Sequence, residues 1–189
     1  MRFAETGIPG AWIVEPERLA DSRGWFTRTW CSREFAARGI PAAFPQGNES
    51  FNRSRGTLRG LHFQRSPSRE GKLVRCTTGE IYDVVVDLRP RSPAFLRHFG
   101  MVLSPANGVA LYIPPGCAHG FMTLSDDSTV IYAMGDSYDA ALAGGARWND
   151  TAFGIRWPMH QPSVISERDR DYPDFDRGSW SEFSSLGND

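Results

Sequence analysis

The stretch KLVRCTTGEIYDVVVDL, residues 72–88, is typical of two β-strands. It is rich in Val, Ile and Thr, which favour strands, and Gly79 interrupts it at a point where a turn would separate the two. Similar segments recur along the chain at intervals of roughly 8–12 residues, flanked by Gly, Pro, Asn or Asp. The predicted strands are 10–14, 25–30, 47–52, 57–63, 73–78, 80–88, 95–103, 108–113, 118–123 and 128–134.

Helical patterns are few. The segment SREFAARG predicts one helix, with Ser32 as its N-cap and Gly39 where it stops. A second short helix is expected to begin at Ser166. Many evenly spaced strands with so little helix indicate an all-β sandwich or jelly roll, and we expect a single domain over residues 1–189. The tail, residues 178–189, has no strong pattern and is expected to be loosely ordered.

The composition argues against several classes of protein. Of the 189 residues, 40% are hydrophobic and 23% are charged, and a net charge of −1 gives no overall attraction to nucleic acid or membranes. No window approaches the about 20 apolar residues of a membrane span, and the N-terminus lacks the apolar core of a signal peptide. We therefore expect a cytoplasmic protein. Three cysteines without paired spacing argue against a disulfide framework or a zinc site.

The predicted strand LRGLHFQ, residues 58–64, combines apolar residues with two ionisable ones, Arg59 and His62. Side chains alternate between the faces of a regular strand, so these two would point in opposite directions. A β-bulge at Gly60 would shift the alternation by one and bring them to one face, and we predict that irregularity. Without it, His62 is simply a core residue and Arg59 a surface residue.

Two further charged groups lie on apolar strand faces. Lys72 shares a face with Val74 and Cys76, and Asp83 lies among the apolar residues of the following strand. A buried carboxylate is costly unless it is paired, so Lys72 is the expected partner of Asp83. A structural ion pair and a role for Asp83 in or behind a catalytic site are equally compatible with this pattern.

Three more side chains are candidates for a site. His119 follows the rigid turn IPPG, and Tyr132 lies on an apolar strand face with Tyr138 beyond it. Each of them alone also fits an ordinary structural role. No histidine lies at ligand spacing, and the sequence contains neither a nucleophile turn nor a Gly-rich phosphate loop. We therefore expect no metal and no other cofactor.

A histidine, a lysine, an arginine and a tyrosine together suit proton transfer next to a carbonyl group. Histidine has a pKa suited to a general base, and Lys72 could stabilise the resulting enolate. Inversion of the carbon needs a proton donor on the opposite face, for which a tyrosine hydroxyl is suitable. Arg59 and Arg23 would hold phosphates through bidentate contacts.

At these residues the chain resembles the dTDP-4-dehydrorhamnose 3,5-epimerase family of sugar-nucleotide enzymes. The resemblance implies a metal-free cupin-type jelly roll that acts as a homodimer, with N-terminal strands extending onto the partner. It also implies epimerisation of C3, C5 or both in a nucleoside diphosphate 4-keto-6-deoxyhexose during deoxysugar biosynthesis. The matching stretches cover nearly the whole chain in order: DSRGWF, QGNES, GTLRGLHFQ, GKLVRCTTGEIYDVVVDLR, IPPGCAHGF, RWND, GIRWP and ISERD.

The resemblance further implies a role for each matching residue. His62 would be the general base, oriented by Asp169. Tyr132 would be the proton donor, and Lys72 would stabilise the enolate. The implied substrate-binding residues are Arg23, Phe26, Gln46, Asn48, Arg59, His119, Tyr138 and Arg168.

Three positions depart from the family pattern. Arg28 and Ala143 stand where acidic residues are usual, and Ala133 follows the donor tyrosine where a basic residue is common. Arginine only donates hydrogen bonds, whereas a carboxylate could accept the N3–H of thymine. We therefore hypothesise that the nucleotide or the sugar differs from the usual dTDP-4-keto-6-deoxyglucose. Two alternatives stay open: a 3,4-ketoisomerase of the same fold, and a sugar-nucleotide-binding module without turnover.

Overall fold

The computed structural model describes residues 1–41 and 43–186 and consists mainly of β-strands, which confirms the all-β prediction. Within these residues it has two short helices, α1 (Ser32–Ala36) and α2 (Glu167–Arg170), neither of which is long and apolar enough to cross a membrane. The strands are β1 (Arg2–Glu5), β2 (Trp12–Glu15), β3 (Leu19–Asp21), β4 (Gly24–Phe26), β5 (Gln46–Asn52), β6 (Thr57–Gln64), β7 (Lys72–Thr78), β8 (Ile81–Asp87), β9 (His98–Leu103), β10 (Ala110–Ile113), β11 (Cys117–Thr123), β12 (Ser128–Met134), β13 (Ala143–Gly145) and β14 (Val164–Ile165).

Most of the strands belong to two sheets that face each other. The first sheet has the order β1-β2-β10-β7-β12-β5, and all its neighbours are antiparallel. The second has the order β13-β6-β11-β8-β9, with β14 parallel to β6. Neighbours that are distant in sequence, such as β2 beside β10, are typical of a cupin-type jelly roll. A separate hairpin, β3–β4, lies outside both sheets.

The main core lies between the inner faces of the two sheets. Val74 and Val130 of the first sheet belong to one buried cluster with Val85 and Phe121 of the second. Because side chains alternate along a strand, these buried residues identify the face of each strand that points to the other sheet. Tyr132 packs against the same cluster, so its ring lies on the inner side of the first sheet.

Segments outside the sheets cover their outer faces. On the first sheet, Phe35 of α1 shares a buried cluster with Tyr112. On the second, the C-terminal segment packs down, and the Phe183 ring centroid lies 5.7 Å from that of Phe63. Aromatic side chains of the tail thus fill part of a buried cluster on the second sheet. The looser order expected for residues 178–189 stays a prediction. Residues 187–189 lie outside the described residues.

Both helices begin near their predicted positions. The first residue of α1 is Ser32, and its N-cap is Cys31, whose backbone is extended and whose side chain makes no capping hydrogen bond. The prediction of Ser32 as N-cap is therefore wrong by one residue. Gly39 ends the helical segment with a φ of +71°, in the left-handed region that favours glycine. Ser166 is the N-cap of α2, and its Oγ accepts a hydrogen bond from the backbone N–H of Asp169 at 3.1 Å.

The predicted irregularity at Gly60 is confirmed. His62 pairs with His119 of β11, and Arg59 pairs with Phe121, so a separation of three residues on β6 matches two on β11. The φ of Gly60 is +128°, and a Cβ there would lie 2.5 Å from a backbone Cα of β11, so only glycine fits. The extra residue brings Arg59 and His62 to the same inner face.

Candidate active site

His62 and Asp169 form a hydrogen-bonded pair. The distance from Nε2 of His62 to Oδ1 of Asp169 is 2.7 Å, and the backbone N–H of Gly60 donates to Oδ2 at 3.1 Å. The bulge therefore fixes the carboxylate as well as the histidine. Burial disfavours the charge of Asp169, but the hydrogen bonds from His62 and Gly60 outweigh it and hold the pKa of this carboxyl below its usual range.

This pair sets the tautomer of His62. An ionised carboxylate can only accept hydrogen bonds, so Nε2 of a neutral His62 carries the hydrogen and Nδ1 keeps its lone pair. The side chain of His62 is 40% exposed, whereas that of Asp169 is 6% exposed. The geometry suits a general base that is accessible to a ligand and oriented by a buried carboxylate.

A second histidine–aspartate pair lies beside the first. Nε2 of His119 lies 2.8 Å from Oδ1 of Asp83, and both side chains are buried. The expected pairing of Asp83 with Lys72 is therefore wrong: Asp83 lies on β8, next to the strand of His119 in the second sheet, whereas Lys72 lies in the first. Among the described residues, Oδ2 of Asp83 has no hydrogen-bond partner.

Lys72 pairs instead with Glu70, which the sequence reasoning missed. Nζ of Lys72 lies 3.0 Å from Oε1 of Glu70, and Nε2 of Gln64 donates to Oε2 at 2.9 Å. The available signal was the spacing of two residues, which puts Glu70 and Lys72 on one face of an extended segment. The polar turn before Glu70 hid it, because such a turn usually indicates solvent exposure.

Tyr132 lies on the inner face of the first sheet, close to two charged side chains. Burial raises the pKa of its hydroxyl; the positive charge of Arg59 opposes this shift, and the negative charge of Glu70 adds to it. Arg59 is held in place by Asn52, because its Nε donates to Oδ1 at 2.7 Å. Tyr132 therefore remains a protonated phenol throughout the pH range in which histidine titrates.

The two facing sheets thus present complementary groups to the space between them. The second sheet carries His62 and His119, and the first carries Tyr132 with Lys72 on the adjacent strand. A base and an acid on facing walls, with an ammonium beside the acid, can remove a proton next to a carbonyl and return one from the other side. Residues 1–41 and 43–186 contain no group of three or more His, Cys, Asp or Glu side chains placed to hold a metal ion.

Known proteins resemble this chain over most of its length. The family profile described as dTDP-4-dehydrorhamnose 3,5-epimerase matches residues 5–177. The chain belongs to this family. The enzyme of that name from Salmonella typhimurium is 40% identical over 183 residues, which cover 96% of this chain and 100% of the relative. The protein is thus an isomerase-class sugar-nucleotide epimerase of deoxysugar biosynthesis.

Two solved structures show the same fold. The dTDP-4-dehydrorhamnose 3,5-epimerase of Bacillus anthracis, with TDP and PPi bound, has a TM-score of 0.88 and 38% identity, covering 92% of this chain and 99% of that chain. A 3′-monoepimerase from Streptomyces bikiniensis, in complex with dTDP-quinovose, has a TM-score of 0.82 and 32% identity, covering 89% of this chain and 85% of that chain. The resemblance seen in the sequence is confirmed.

Four of the epimerase's predicted binding residues lie on the edge strand β5, in the loop after β12 and on α2. Gln46 donates through Nε2 to Oδ1 of Asn48 at 3.1 Å, and its Oε1 accepts from the backbone N–H of Tyr138 at 3.0 Å. Arg168 of α2 donates through Nε to the hydroxyl of Tyr172 at 2.8 Å. Tyr172 was missed, although an aromatic residue just after ISERD could have indicated it.

Two predicted binding residues of the epimerase lie away from the other site residues of their own chain. Arg23 lies on the β3–β4 hairpin, with its side chain 88% exposed and its Nη2 2.6 Å from Oδ2 of Asp21. Phe26, at the end of the same hairpin, is 68% exposed. Among the described residues, the side-chain hydrogen bonds of Arg23 go to Asp21 and to no member of the site.

The three positions that depart from the epimerase family pattern lie in different surroundings. Arg28 pairs with Glu34 of α1 at 3.2 Å. Ala133 packs against the outer cluster of the first sheet, on the face opposite to Tyr132, so it does not line the site of its own chain. Ala143 pairs in register with Gln64, whose side chain donates a hydrogen bond to Glu70.

Proposed function

We propose that this epimerase inverts C3, C5 or both of a dTDP-linked 4-keto-6-deoxyhexose. The observation that carries the proposal is the oriented base His62, hydrogen-bonded to Asp169, on the sheet that faces Tyr132. The similar Bacillus anthracis and Streptomyces bikiniensis structures hold TDP and dTDP-quinovose, which supports a thymidine nucleotide here.

His62 begins the reaction as general base. Its Nδ1 removes the proton from a carbon next to the C4 ketone, and the electron pair of that C–H bond forms the enolate, with its charge on O4. The ammonium of Lys72 stabilises the enolate oxygen, and Asp169 stabilises the imidazolium.

Tyr132 completes the inversion. Its hydroxyl donates a proton to the same carbon from the opposite face, so the ketone reforms with the configuration reversed. The phenolate then regains a proton from solvent, and His62 loses its proton to solvent. Because C3 and C5 both flank C4, one histidine can act at each carbon in turn.

The remaining groups bind and orient the nucleotide. Arg59 is suited to the diphosphate, since a guanidinium donates to phosphate oxygens, and the resemblance assigns His119 to the same region. Asp83 orients His119, much as Asp169 orients His62. Gln46 and Asn48 are assigned to the base, and Tyr138 and Arg168 to the sugar side of the site.

The nucleotide preference and the reaction can be tested together. The protein is incubated in D2O with a 4-keto-6-deoxyglucose linked to dTDP, CDP, UDP or GDP, and the sugar is followed by NMR. We expect deuterium and inverted configuration at C3, C5 or both with the dTDP-linked sugar, because the similar Bacillus anthracis and Streptomyces bikiniensis structures hold thymidine nucleotides. A preference for another nucleotide would contradict this and support a changed base site.

The same spectra separate the rival activities. A carbonyl moved to C3 would identify a 3,4-ketoisomerase, and bound ligand without deuterium would identify a binding module. Either result would contradict the epimerase proposal for this substrate.

We also propose that the enzyme is a homodimer in which the β3–β4 hairpin supplies Arg23 and Phe26 to the partner's site. Support comes from Leu19, Trp25 and Phe26, which are all more than half exposed on this hairpin. Co-refolded Arg23→Ala and His62→Ala chains, each inactive alone, should recover about one quarter of the wild-type activity, because half of the dimers then hold one intact site. No recovery would contradict the exchange of the hairpin.

A further inference from the structure

Glu70 is a buried carboxylate beside the site that the mechanism above does not use. Its side chain is 4% exposed, and both of its oxygens are engaged, one by Lys72 at 3.0 Å and the other by Gln64 at 2.9 Å. Its backbone N–H donates to Oγ of Ser68 at 3.2 Å. A buried carboxylate that is paired at both oxygens and hydrogen-bonded at its own backbone has little freedom to move, so it can hold a contacting group in one position.

Lys72 is the only lysine in the sequence; the other basic residues counted with it are arginines. Its side chain is 10% exposed. Burial disfavours an unpaired ammonium, and the four-carbon stem of lysine is flexible, so a lone Lys72 would be less favourable and less well positioned. The ion pair with Glu70 opposes both effects.

We propose that Glu70 is a positioning residue that keeps the Lys72 ammonium charged and fixed where the enolate oxygen forms. This inference rests on the proposed function, because it gives Glu70 a role through Lys72. Gln64 extends the same contact, since its Oε1 accepts from the backbone N–H of Asp139 at 2.7 Å in the loop that carries Tyr138. Glu70 thus connects Lys72 with the loop at the edge of the site.

The charge of Glu70 also acts on Tyr132. Burial and this negative charge both favour the protonated hydroxyl, against the positive charge of Arg59. The strand β5, on the other side of β12, presents amides and hydroxyls to the inner face rather than charges. Among the described residues, the ionisable groups on the inner faces around Tyr132 include Glu70, Lys72, Arg59, His62 with Asp169, His119 with Asp83, and the thiol of Cys76.

The test compares Glu70→Gln with the control Asp136→Asn. Asp136 is a carboxylate on the same hydrogen-bond network, joined to Ser68 Oγ at 2.9 Å, and it makes no contact with Lys72. We expect Glu70→Gln to lower kcat by about 10- to 100-fold with KM nearly unchanged, and to move the alkaline limb of the kcat profile to lower pH. Asp136→Asn should leave kcat and KM within about twofold of wild type. Glu70→Gln behaving like Asp136→Asn would overturn the proposal.

Glu70→Asp separates position from charge and covers the case in which Glu70→Gln does not fold. It keeps the carboxylate but withdraws it by one methylene from Lys72. We expect kcat to fall while the alkaline limb stays in place. A wild-type kcat in Glu70→Asp would contradict the positioning role.

A measurement on Lys72 itself does not depend on turnover. Protein labelled with 15N at lysine Nζ gives a single signal, because the chain has one lysine. In Glu70→Gln the signal should titrate at lower pH than in wild type. An unchanged titration would overturn the role of Glu70 even in an active enzyme, whereas a shifted titration in a protein that fails to exchange deuterium would fault the proposed function instead.

Discussion

Replacing His62 with alanine is expected to lower deuterium exchange at C3 and C5 by about a thousandfold or more, because it removes the imidazole that Asp169 orients as the proposed base. Nε2 of His62 is committed to Asp169, so Nδ1 is the only ring nitrogen free to act as base. The measurement is the rate of deuterium entry into the dTDP-linked 4-keto sugar, followed by NMR. The effect is on the first chemical step, so exchange and inversion should fall together.

The matched control for this variant is His98→Ala. His98 lies on β9 and its Nδ1 is 2.8 Å from the backbone oxygen of Phe153, away from the inner face that carries His62. We expect exchange in this variant to remain close to wild type. Near-normal exchange in His62→Ala would show that another base operates.

Replacing Tyr132 with phenylalanine is expected to lower inversion by about a hundredfold or more while deuterium exchange continues. Phenylalanine keeps the ring that packs on the inter-sheet core and removes only the hydroxyl, which is the proposed donor of the second proton. His62 would still form the enolate and return a proton or deuteron to the original face. The ratio of exchange to inversion, measured by NMR on one sample, should therefore rise sharply.

Tyr112→Phe is the control for the tyrosine variant. Tyr112 is also buried, and burial likewise raises the pKa of its hydroxyl, but it lies in the outer cluster of the first sheet. We expect its exchange and inversion rates to match wild type. Normal inversion by Tyr132→Phe would refute the assignment of Tyr132 as donor.

Much of the fold follows from local sequence pattern. The long strands were predicted because they are rich in Val, Ile, Thr and aromatic residues and are flanked by turn residues, as in 128–134. The short strands Arg2–Glu5, Leu19–Asp21, Ala143–Gly145 and Val164–Ile165 were not predicted, because two to four residues carry no periodicity. Their pairing comes from the tertiary fold, which local propensity does not describe.

The bulge at Gly60 was predictable for a different reason. Two polar side chains, Arg59 and His62, sit three residues apart on a strand, and a glycine between them supplies the one conformation that puts both on one face. Local chemistry alone was enough there.

The ion-pair partners of Asp83 and Lys72 could not be predicted in the same way. The alternation of side chains shows that Asp83 and Lys72 are both buried, but it does not show which strands are neighbours. The jelly-roll crossover puts Asp83 beside His119, and the turn before β7 puts Glu70 beside Lys72. Both partners depend on topology.

The arrangement of substrate, base and acid can be observed directly. A crystal structure of the enzyme with a dTDP-linked 6-deoxyhexose that carries a 4-hydroxyl in place of the ketone would trap the complex without turnover. We expect the sugar ring between His62 and the Tyr132 hydroxyl, on opposite faces, with O4 about 3 Å from the Lys72 ammonium. A sugar with His62 and Tyr132 on the same face, or with either one outside its reach, would contradict the account.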